Sequence, residues 1–443
     1  MVVTEFETAV PRSRSLRRDA LVLAAGMGVA NAGNYAFNVV MAFLLGPEAY
    51  GALAALLALV LVGSVPGLAL QAVVARRTTL AGSGRVVGAW PGAGWLVGRA
   101  GLGLVLLTVL IGPVLVLFLH LDSAVPVLWL ALALAPTPLL FGVQGLLQGR
   151  ERFGALAAVM VAGAAVKLAA GLALVALGFG VSGAMAGVAA GGLLAALAGL
   201  RLATPAIPRA VDNQPPPSAG SATLPVGAPP LAVGGAARPE PGWWREVGTA
   251  TTGLLGLFLL ANVDVLLARH YLDRAAAGRY ALGAVVAKIA FWAPQFVVTV
   301  VFPRLVGAAD PRRLVGGSAL LIAGFGGLLA GALALADRVG LVVPVLGGGY
   351  AGLGPLLPLF AALGTALALV QLLLFEGIAT RDRRMGRAVA VALVAEVALV
   401  AGPLHASVGQ IAGTALGVAV ALAATGWWLL RRRVGRPPAP VTP

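Results

Sequence analysis

The sequence predicts an all-α polytopic membrane protein with about 12 transmembrane helices, arranged as two parallel six-helix repeats around a central cavity. Composition is the first observation: 60% of the 443 residues are hydrophobic and only 11% are charged. A soluble protein carries about 25% charged and 45–50% apolar residues. Apolar runs long enough to cross a bilayer, and basic residues confined to alternate loops, are the second and third observations.

The predicted spans are stretches of about 20 apolar residues, the length that crosses a hydrocarbon core about 30 Å thick. In the first half they cover residues 21–45, 51–74, 101–119, 124–147, 154–177 and 181–200. In the second half they cover residues 247–268, 279–302, 314–336, 352–376, 386–403 and 408–430. The chain is therefore divided into a first six-helix lobe at 1–200, a linker at 201–245 and a second lobe at 246–443.

Basic residues fix the predicted orientation. Of the 31 lysines and arginines, 25 fall in the segments on one side of the predicted spans, together with both termini. The other side holds only four, which are Arg269, Arg274, Arg279 and Arg338. Because basic loops stay cytoplasmic, we expect a multi-pass protein of the plasma (inner) membrane with both termini in the cytoplasm. The arginines lie in short loops without interleaved aromatics, so no nucleic-acid partner is expected.

The segment 201–245 is rich in proline, with 10 of the 29 prolines of the chain. It has too little apolar surface to fold alone and is interpreted as a cytoplasmic linker. The flanking halves resemble each other at an offset near 227; for example, Arg150–Glu151–Arg152 matches Arg381–Asp382–Arg383 at 231. An even number of spans per half makes the repeat parallel, and substrate sites of such repeats lie where the halves meet.

Two hairpins resemble a known family. Asn38–Val39–Val40, Leu44–Leu45–Gly46–Pro47 and Tyr50–Gly51 are similar to the first hairpin of bacterial polysaccharide flippases. Asn262 to Leu267, Gly278–Arg279–Tyr280 and Phe302–Pro303–Arg304 resemble their seventh and eighth helices. These proteins form the polysaccharide (O-antigen) flippase branch of the multidrug/oligosaccharidyl-lipid/polysaccharide exporter superfamily.

The resemblance implies a flippase for cell-surface polysaccharide biosynthesis. Such a protein moves a polyprenyl-pyrophosphate-linked oligosaccharide across the plasma membrane by alternating access. Its expected partners are the lipid-linked sugar and membrane lipids, and whether the linker binds polysaccharide synthesis enzymes stays open. Peptidoglycan-precursor flippases usually carry two further C-terminal helices; none is found after Leu430, which favours the polysaccharide branch. The alternative is an ion-coupled drug or metabolite antiporter of the same superfamily, and a non-transporting scaffold protein is the third class.

Polar side chains inside the spans are the candidate site, because they are costly in a bilayer and usually face a cavity or a partner helix. Asn31, Asn34 and Asn38 share one face of span one. They either line the cavity and bind sugar hydroxyls or hold helices together. Lys167 lies near the middle of span five.

Span eight carries Lys288, Trp292 and Gln295 on one face. Lys288 lies about 15 Å deep, near the midplane. It is expected either to attract the pyrophosphate, with Trp292 stacking on sugar, or to form a buried ion pair with Asp264 or Glu396.

Asp264 in span seven either couples transport to a proton or cation gradient or pairs with Arg269 or Lys288. Glu396 and Lys167 occupy matching depths in the two halves, at an offset of 229. They either form a shared gate or have local partners within one lobe.

Enzymatic and cofactor chemistry find no support in the sequence. The chain has no cysteine and three histidines, far apart in sequence, so no metal site is expected. No phosphate-binding glycine loop is present, and no catalytic residue or cofactor is predicted.

Overall fold

A computed structural model describes residues 12–82, 93–203, 243–292, 311–379 and 384–433, and every regular element within these ranges is helical. In the first half the helices are α1 (Arg12–Gly63), α2 (Val65–Gly82), α3 (Ala93–Phe118), α4 (Val125–Leu134), α5 (Thr137–Gly149), α6 (Phe153–Ala176) and α7 (Gly180–Ala203). In the second half they are α8 (Trp243–Leu260), α9 (Val263–Tyr271), α10 (Arg274–Trp292), α11 (Pro311–Arg338), α12 (Val342–Leu346), α13 (Leu357–Ala379), α14 (Arg384–Ala401) and α15 (Val408–Arg433). The predicted all-α polytopic membrane fold is confirmed.

Nine stretches of the described residues are long and apolar enough to cross a membrane, and the longest, Leu21–Thr79, holds two predicted spans. Within the described residues, each of the 12 predicted spans coincides with helix over most of its length. The span predicted at 279–302 is helical to Trp292, and its remainder lies outside the described residues. Helix α14 is not among the nine; it carries Arg384, Arg387 and Glu396. Most of the predicted linker also lies outside the described residues, and its two ends are helical.

Breaks within the spans have local causes. Gly46 adopts φ 68° immediately before Pro47, which kinks α1 where the sequence predicts a loop. Proline lacks the amide hydrogen that continues a helix, and the turn at Ser64 precedes Pro66 in the same way. Span four divides into α4 and α5 before Pro136, and span seven divides into α8 and α9 at Asn262.

Two sides of the helix bundle are distinguished by their loops. The kink in α1, the α3–α4 loop, the α9–α10 loop and the α14–α15 loop lie together on one side, called here the far side, as their mutual contacts show. The beginning of α1 and the end of α15 lie at the opposite ends of their helices, on the near side.

The hydrophobic core joins the two halves. Its main cluster includes Phe37, Met41 and Tyr50 from the first half, and Tyr280 and Phe360 from the second. All five side chains are fully buried. A second cluster around Val74 and Val143 belongs to the first half, with Val247 of α8 packed against it. The first-half part of the shared core comes from the far-side portion of α1 and from α4 and α7.

Candidate functional site

Lys167 on α6 faces α1 and has no carboxylate partner among the described residues. Its ammonium group donates a hydrogen bond to Asn34 Oδ1. Nζ also lies 4.6 Å from the centroid of the Phe37 ring, a cation–π contact. The positive charge is therefore solvated by one amide oxygen and one aromatic face.

Lys288 on α10 lies beside the neighbouring residue of α1. Tyr35 Oη donates a hydrogen bond of 3.3 Å to the backbone oxygen of Lys288. Two adjacent residues of α1 thus contact the two lysines. Asn34 contacts Lys167 of the first half, and Tyr35 contacts Lys288 of the second half. No carboxylate oxygen lies within 4 Å of Lys288 Nζ in the described part of the chain, so neither predicted ion pair is formed by direct contact. The Asp264 carboxylate is nevertheless close enough to interact electrostatically with the ammonium group.

A small pocket surrounds the Lys288 side chain. Its lining includes Asn262, Asp264, Phe258 and Trp292 from the second half, and Leu61 from the first. Trp292 packs edge-on against Phe258, with ring centroids 5.8 Å apart. The pocket combines a cation, a carboxylate, an amide and an aromatic wall around about 20 Å³ of free space, enough for about one water molecule.

The break between α8 and α9 positions Asp264. Asn262 Nδ2 donates to the Phe258 carbonyl at 2.8 Å, a carbonyl at the end of α8. Asp264 is buried in the next turn and accepts a 2.7 Å hydrogen bond from Tyr280 Oη of α10.

Several buried oxygens in the second half have no hydrogen-bond partner. Within the described residues these are Asn262 Oδ1, Asp264 Oδ1, Gln371 Oε1 and Glu396 Oε1. The large majority of buried side-chain polar atoms are paired, so these oxygens are exceptions. A proton or a cation, both of which bind oxygen, would satisfy them.

Arg269 does not pair with Asp264, contrary to one of the predicted alternatives. It is buried, with Nε 2.9 Å from Leu119 O, and it also donates to the backbone oxygens of Glu48 and His120 at 3.2 and 3.3 Å. Arg269 of the second half therefore binds two segments of the first half, the kink of α1 and the α3–α4 loop.

Other contacts close the far side in the same place. Arg274 forms a two-bond ion pair with Asp122, with nitrogen–oxygen distances of 2.8 and 3.2 Å. This guanidinium lowers the pKa of the Asp122 carboxyl below its ordinary value. His270 Nδ1 lies 2.9 Å from Phe118 O, and Tyr350 Oη donates to Ala42 O at 2.9 Å. We call the set Asp122, Arg269, His270 and Arg274 the latch.

The remaining predicted site residues are dispersed. Asn38 contacts Tyr50 Oη at 3.2 Å and the Asn34 backbone at 2.9 Å, within α1. Asn31 is exposed. Gln295 lies outside the described residues. Glu396 is buried in the second half and Lys167 contacts only first-half residues, so the structure does not bring these two together.

The latch was not predicted, since Arg269 was expected only as an alternative partner of Asp264 and Arg274 was interpreted only as a topology signal. The available signal was the position of Arg269 and Arg274, two of the four basic residues on the side with few positive charges. Topology does not explain a basic residue on that side, which makes such a residue a candidate for a specific contact.

Comparison with known proteins identifies the architecture. Neither a protein-family model nor a curated protein sequence matches the chain. Among solved structures, an inward-facing multidrug resistance MATE family transporter of the MOP superfamily aligns with TM-score 0.66 and 11% identity, over 94% of this chain and 98% of that one. The chain has the fold of the MOP superfamily. This is the superfamily that the sequence resembles.

Two further structures agree. The lipid II flippase MurJ in an inward closed conformation aligns with TM-score 0.65 and 10% identity, over 94% of this chain and 88% of that one. The eukaryotic MATE transporter AtDTX14 aligns with TM-score 0.59 and 14% identity, over 95% of this chain and 99% of that one. These alignments establish the MOP fold. Because the identities are low, the alignments do not identify the substrate.

Proposed function

We propose that this chain is a flippase that moves an anionic, polyprenyl-pyrophosphate-linked oligosaccharide across the plasma membrane by alternating access. The observation that carries the proposal is the pair Lys167 and Lys288. Each lies within a span, and neither has a carboxylate oxygen within 4 Å of its ammonium group among the described residues. Lys167 contacts Asn34 of α1 through its ammonium group, and Lys288 contacts the adjacent Tyr35 through its backbone oxygen. Intramembrane cations of this kind serve an anionic partner or a water-filled path.

The residue types suggest how the head group would be bound. The pyrophosphate would bind the ammonium groups of the two lysines, which would offset part of its desolvation. Trp292 supplies an aromatic face for sugar stacking. The polyprenyl chain would remain in lipid between the halves. Movement of negative charge outward is favoured by an inside-negative potential, by about 2.3 kcal/mol per charge per 100 mV.

The orientation belongs to the proposal. The near side carries the basic loops and would be cytoplasmic, and the latch would close the outer side. A closed far side is the arrangement expected when substrate enters from the inner leaflet. An enzyme that is active only in the periplasm can be fused after Arg433 as a reporter. Activity of this fusion would contradict the proposed orientation.

We infer that Asp264 and Glu396 form a coupling site for a proton or a cation. The unpaired buried oxygens in the second half support this inference. A drug antiporter is the alternative, but the six first-half spans contain no internal Asp or Glu to bind a cationic drug. Asp264→Asn with Glu396→Gln should abolish the dependence of transport on an ion gradient in proteoliposomes. Transport that keeps its gradient dependence in this double variant would contradict the coupling role.

The test of the main proposal is lipid extraction from cells depleted of the protein, with polyprenyl-linked sugars quantified by mass spectrometry. A periplasm-restricted glycosidase then reports the leaflet. We expect an oligosaccharide lipid to accumulate in the inner leaflet, where the glycosidase does not reach it. Expression of Lys167→Ala, Lys288→Ala or the double variant should not relieve this accumulation. Arg338→Ala, which removes one exposed positive charge from the end of α11, is the matched control and should relieve it fully.

Two results would contradict the flippase proposal. One is no accumulation of lipid-linked sugar on depletion, with altered sensitivity to small cationic compounds instead. The other is full transport by the double lysine variant in correctly inserted protein.

A further inference from the structure

Asp264 and Lys288 line the same small pocket, one from α9 and the other from α10. Asp264 is 5% exposed, and its Oδ2 accepts the hydrogen bond from Tyr280, which lies about two turns before Lys288 on α10. Its Oδ1 has no hydrogen-bond partner among the described residues. Long side chains on a helix lean toward the N-terminus of the helix, which is the direction of Tyr280 and of this carboxylate. Among the described carboxylates, Asp264 is the one that acts electrostatically on the Lys288 ammonium group.

The size of the pocket limits what Lys288 can contact inside it. The free space is about 20 Å³, which holds about one water molecule. A pyrophosphate is several times larger than a water molecule, so with the far side closed it cannot join Lys288 within the pocket. The ammonium group is carried on a flexible four-carbon stem, and to contact a pyrophosphate it has to turn out of the pocket and away from Asp264. The carboxylate and the anion are therefore alternative partners of one ammonium group.

Lys167 has no such competitor. Its ammonium group contacts Asn34 Oδ1 and the Phe37 ring, and both of these partners are neutral. The six first-half spans contain no internal Asp or Glu. An anion that binds Lys167 consequently displaces no carboxylate, whereas an anion that binds Lys288 does. The two lysines differ in what an anion has to replace.

We propose that Asp264 competes with the anionic head group for Lys288 and thereby sets how tightly the site holds its ligand. The inference rests on the proposed function and adds a release step to it. While no anion is bound, Asp264 offsets the Lys288 charge, which would otherwise be costly within the span. When an anion is bound, Asp264 is left without this counter-charge. A transporter must release its ligand as well as bind it, and the return of Lys288 to Asp264 favours release.

The experiment measures the Kd of radiolabelled farnesyl pyrophosphate for the full-length protein in nanodiscs of neutral lipid. Farnesol, which has the same chain without the charge, is the ligand control. Asp264→Asn removes the negative charge and keeps an oxygen that accepts from Tyr280 Oη. It should tighten the Kd about tenfold, the order of effect expected from one unit charge in a partly buried site. Most of the gain should be slower dissociation. Asp264→Ser removes the same charge with a smaller side chain and should also tighten the Kd.

Double variants assign the gain to Lys288. Lys288→Met alone should weaken binding. Asp264→Asn added to it should change the Kd by less than about twofold, because no ammonium group remains to be released. Asp264→Asn added to Lys167→Met should still tighten the Kd about tenfold. Asp337→Asn is the matched control, because it removes the same charge from the last turn of α11 and should leave the Kd unchanged.

The outcomes separate the inference from the proposed function. The inference alone is overturned if the parent protein prefers farnesyl pyrophosphate to farnesol but Asp264→Asn and Asp264→Ser leave the Kd unchanged. It is also overturned by an equal gain in the Lys288→Met background, because Asp264 would then act by repulsion of the anion and not through the lysine. If neither the parent nor any variant prefers farnesyl pyrophosphate to farnesol, the proposed function is overturned, and the inference with it.

Discussion

Replacement of Gly278 by alanine tests whether a close helix crossing keeps the far side closed. Gly278 at the start of α10 packs directly on the kink of α1. A Cβ atom at this position would overlap the Pro47 carbonyl oxygen and lie 2.6 Å from Pro47 Cα. These are backbone atoms that cannot rotate aside, so the helices must separate.

The magnitude follows from the geometry. Overpacking in a well-packed site costs about 1–3 kcal/mol, and a clash with backbone on one side places this variant at the upper end, at about 3 kcal/mol. If opening relieves the clash, this energy changes the ratio of closed to open molecules by about 150-fold.

The assay uses a single cysteine at Ala42, which is 2% exposed and whose carbonyl accepts the Tyr350 hydrogen bond. A membrane-impermeant maleimide labels this position only in molecules with an open far side. Because opening is fast relative to labelling, the rate reports the open population, and Gly278→Ala should raise it about 150-fold.

Two further glycines serve as controls for that experiment. Gly331→Ala meets no atom within 4 Å and should leave the rate unchanged. Gly51→Ala would place its Cβ 3.0 Å from the Gly278 nitrogen and should give an intermediate increase. An unchanged rate for Gly278→Ala in correctly folded protein would refute the reasoning, as would an equal effect of Gly331→Ala.

Three further predictions concern single polar contacts. Tyr280→Phe removes the described hydrogen bond to a buried carboxylate and should lower the free energy of unfolding in a denaturant titration by about 1–3 kcal/mol; no loss would mean that the carboxylate has another partner. Asn34→Leu should lower the free energy of unfolding by a similar amount, because it leaves the Lys167 ammonium group without its amide partner. The double variant Asn34→Leu with Lys167→Met should recover most of this loss. Additive losses in the double variant would contradict the pairing. The Asp122 carboxylate is ionised above its pKa, which Arg274 lowers, so the ion pair should persist at pH 5 and be lost only as the pH falls through that lowered pKa. The infrared band of the ionised Asp122 carboxylate, identified by its absence in Asp122→Asn, measures the ionisation of this group. Loss of the band near pH 5 would contradict the prediction.

The membrane-spanning architecture could be predicted because it depends on local sequence. Apolar runs bounded by arginines give the spans, and Gly46–Pro47 and Pro66 mark where α1 bends and α2 begins. The predicted pairing of Asp264 with Arg269 failed for a geometric reason. Five residues correspond to about 140° around a helix, so the two side chains face different neighbours. The partner that Asp264 has, Tyr280, comes from the next helix.

The far-side contacts could not be predicted because they join residues of distant segments. His120, His270 and His405 have no shared spacing, and only the packing of the two halves brings them together. The lysines were recognisable as site candidates from depth alone. That Lys167 and Lys288 approach adjacent residues of α1 follows from the position of α1 between α6 and α10, which no local pattern encodes.

Within the described residues, the hydrogen bonds that Arg269 donates to the first half go to main-chain oxygens, those of Glu48, Leu119 and His120. Hydrogen bonds of this kind depend on the path of the backbone and are kept when the side chains along it change. Alanine scanning of the α3–α4 loop would detect the Asp122 carboxylate but would miss the carbonyls of Leu119 and His120. Insertion or deletion of one residue there would displace these carbonyls and break the hydrogen bonds of Arg269, so the length of the loop is constrained as well as its composition.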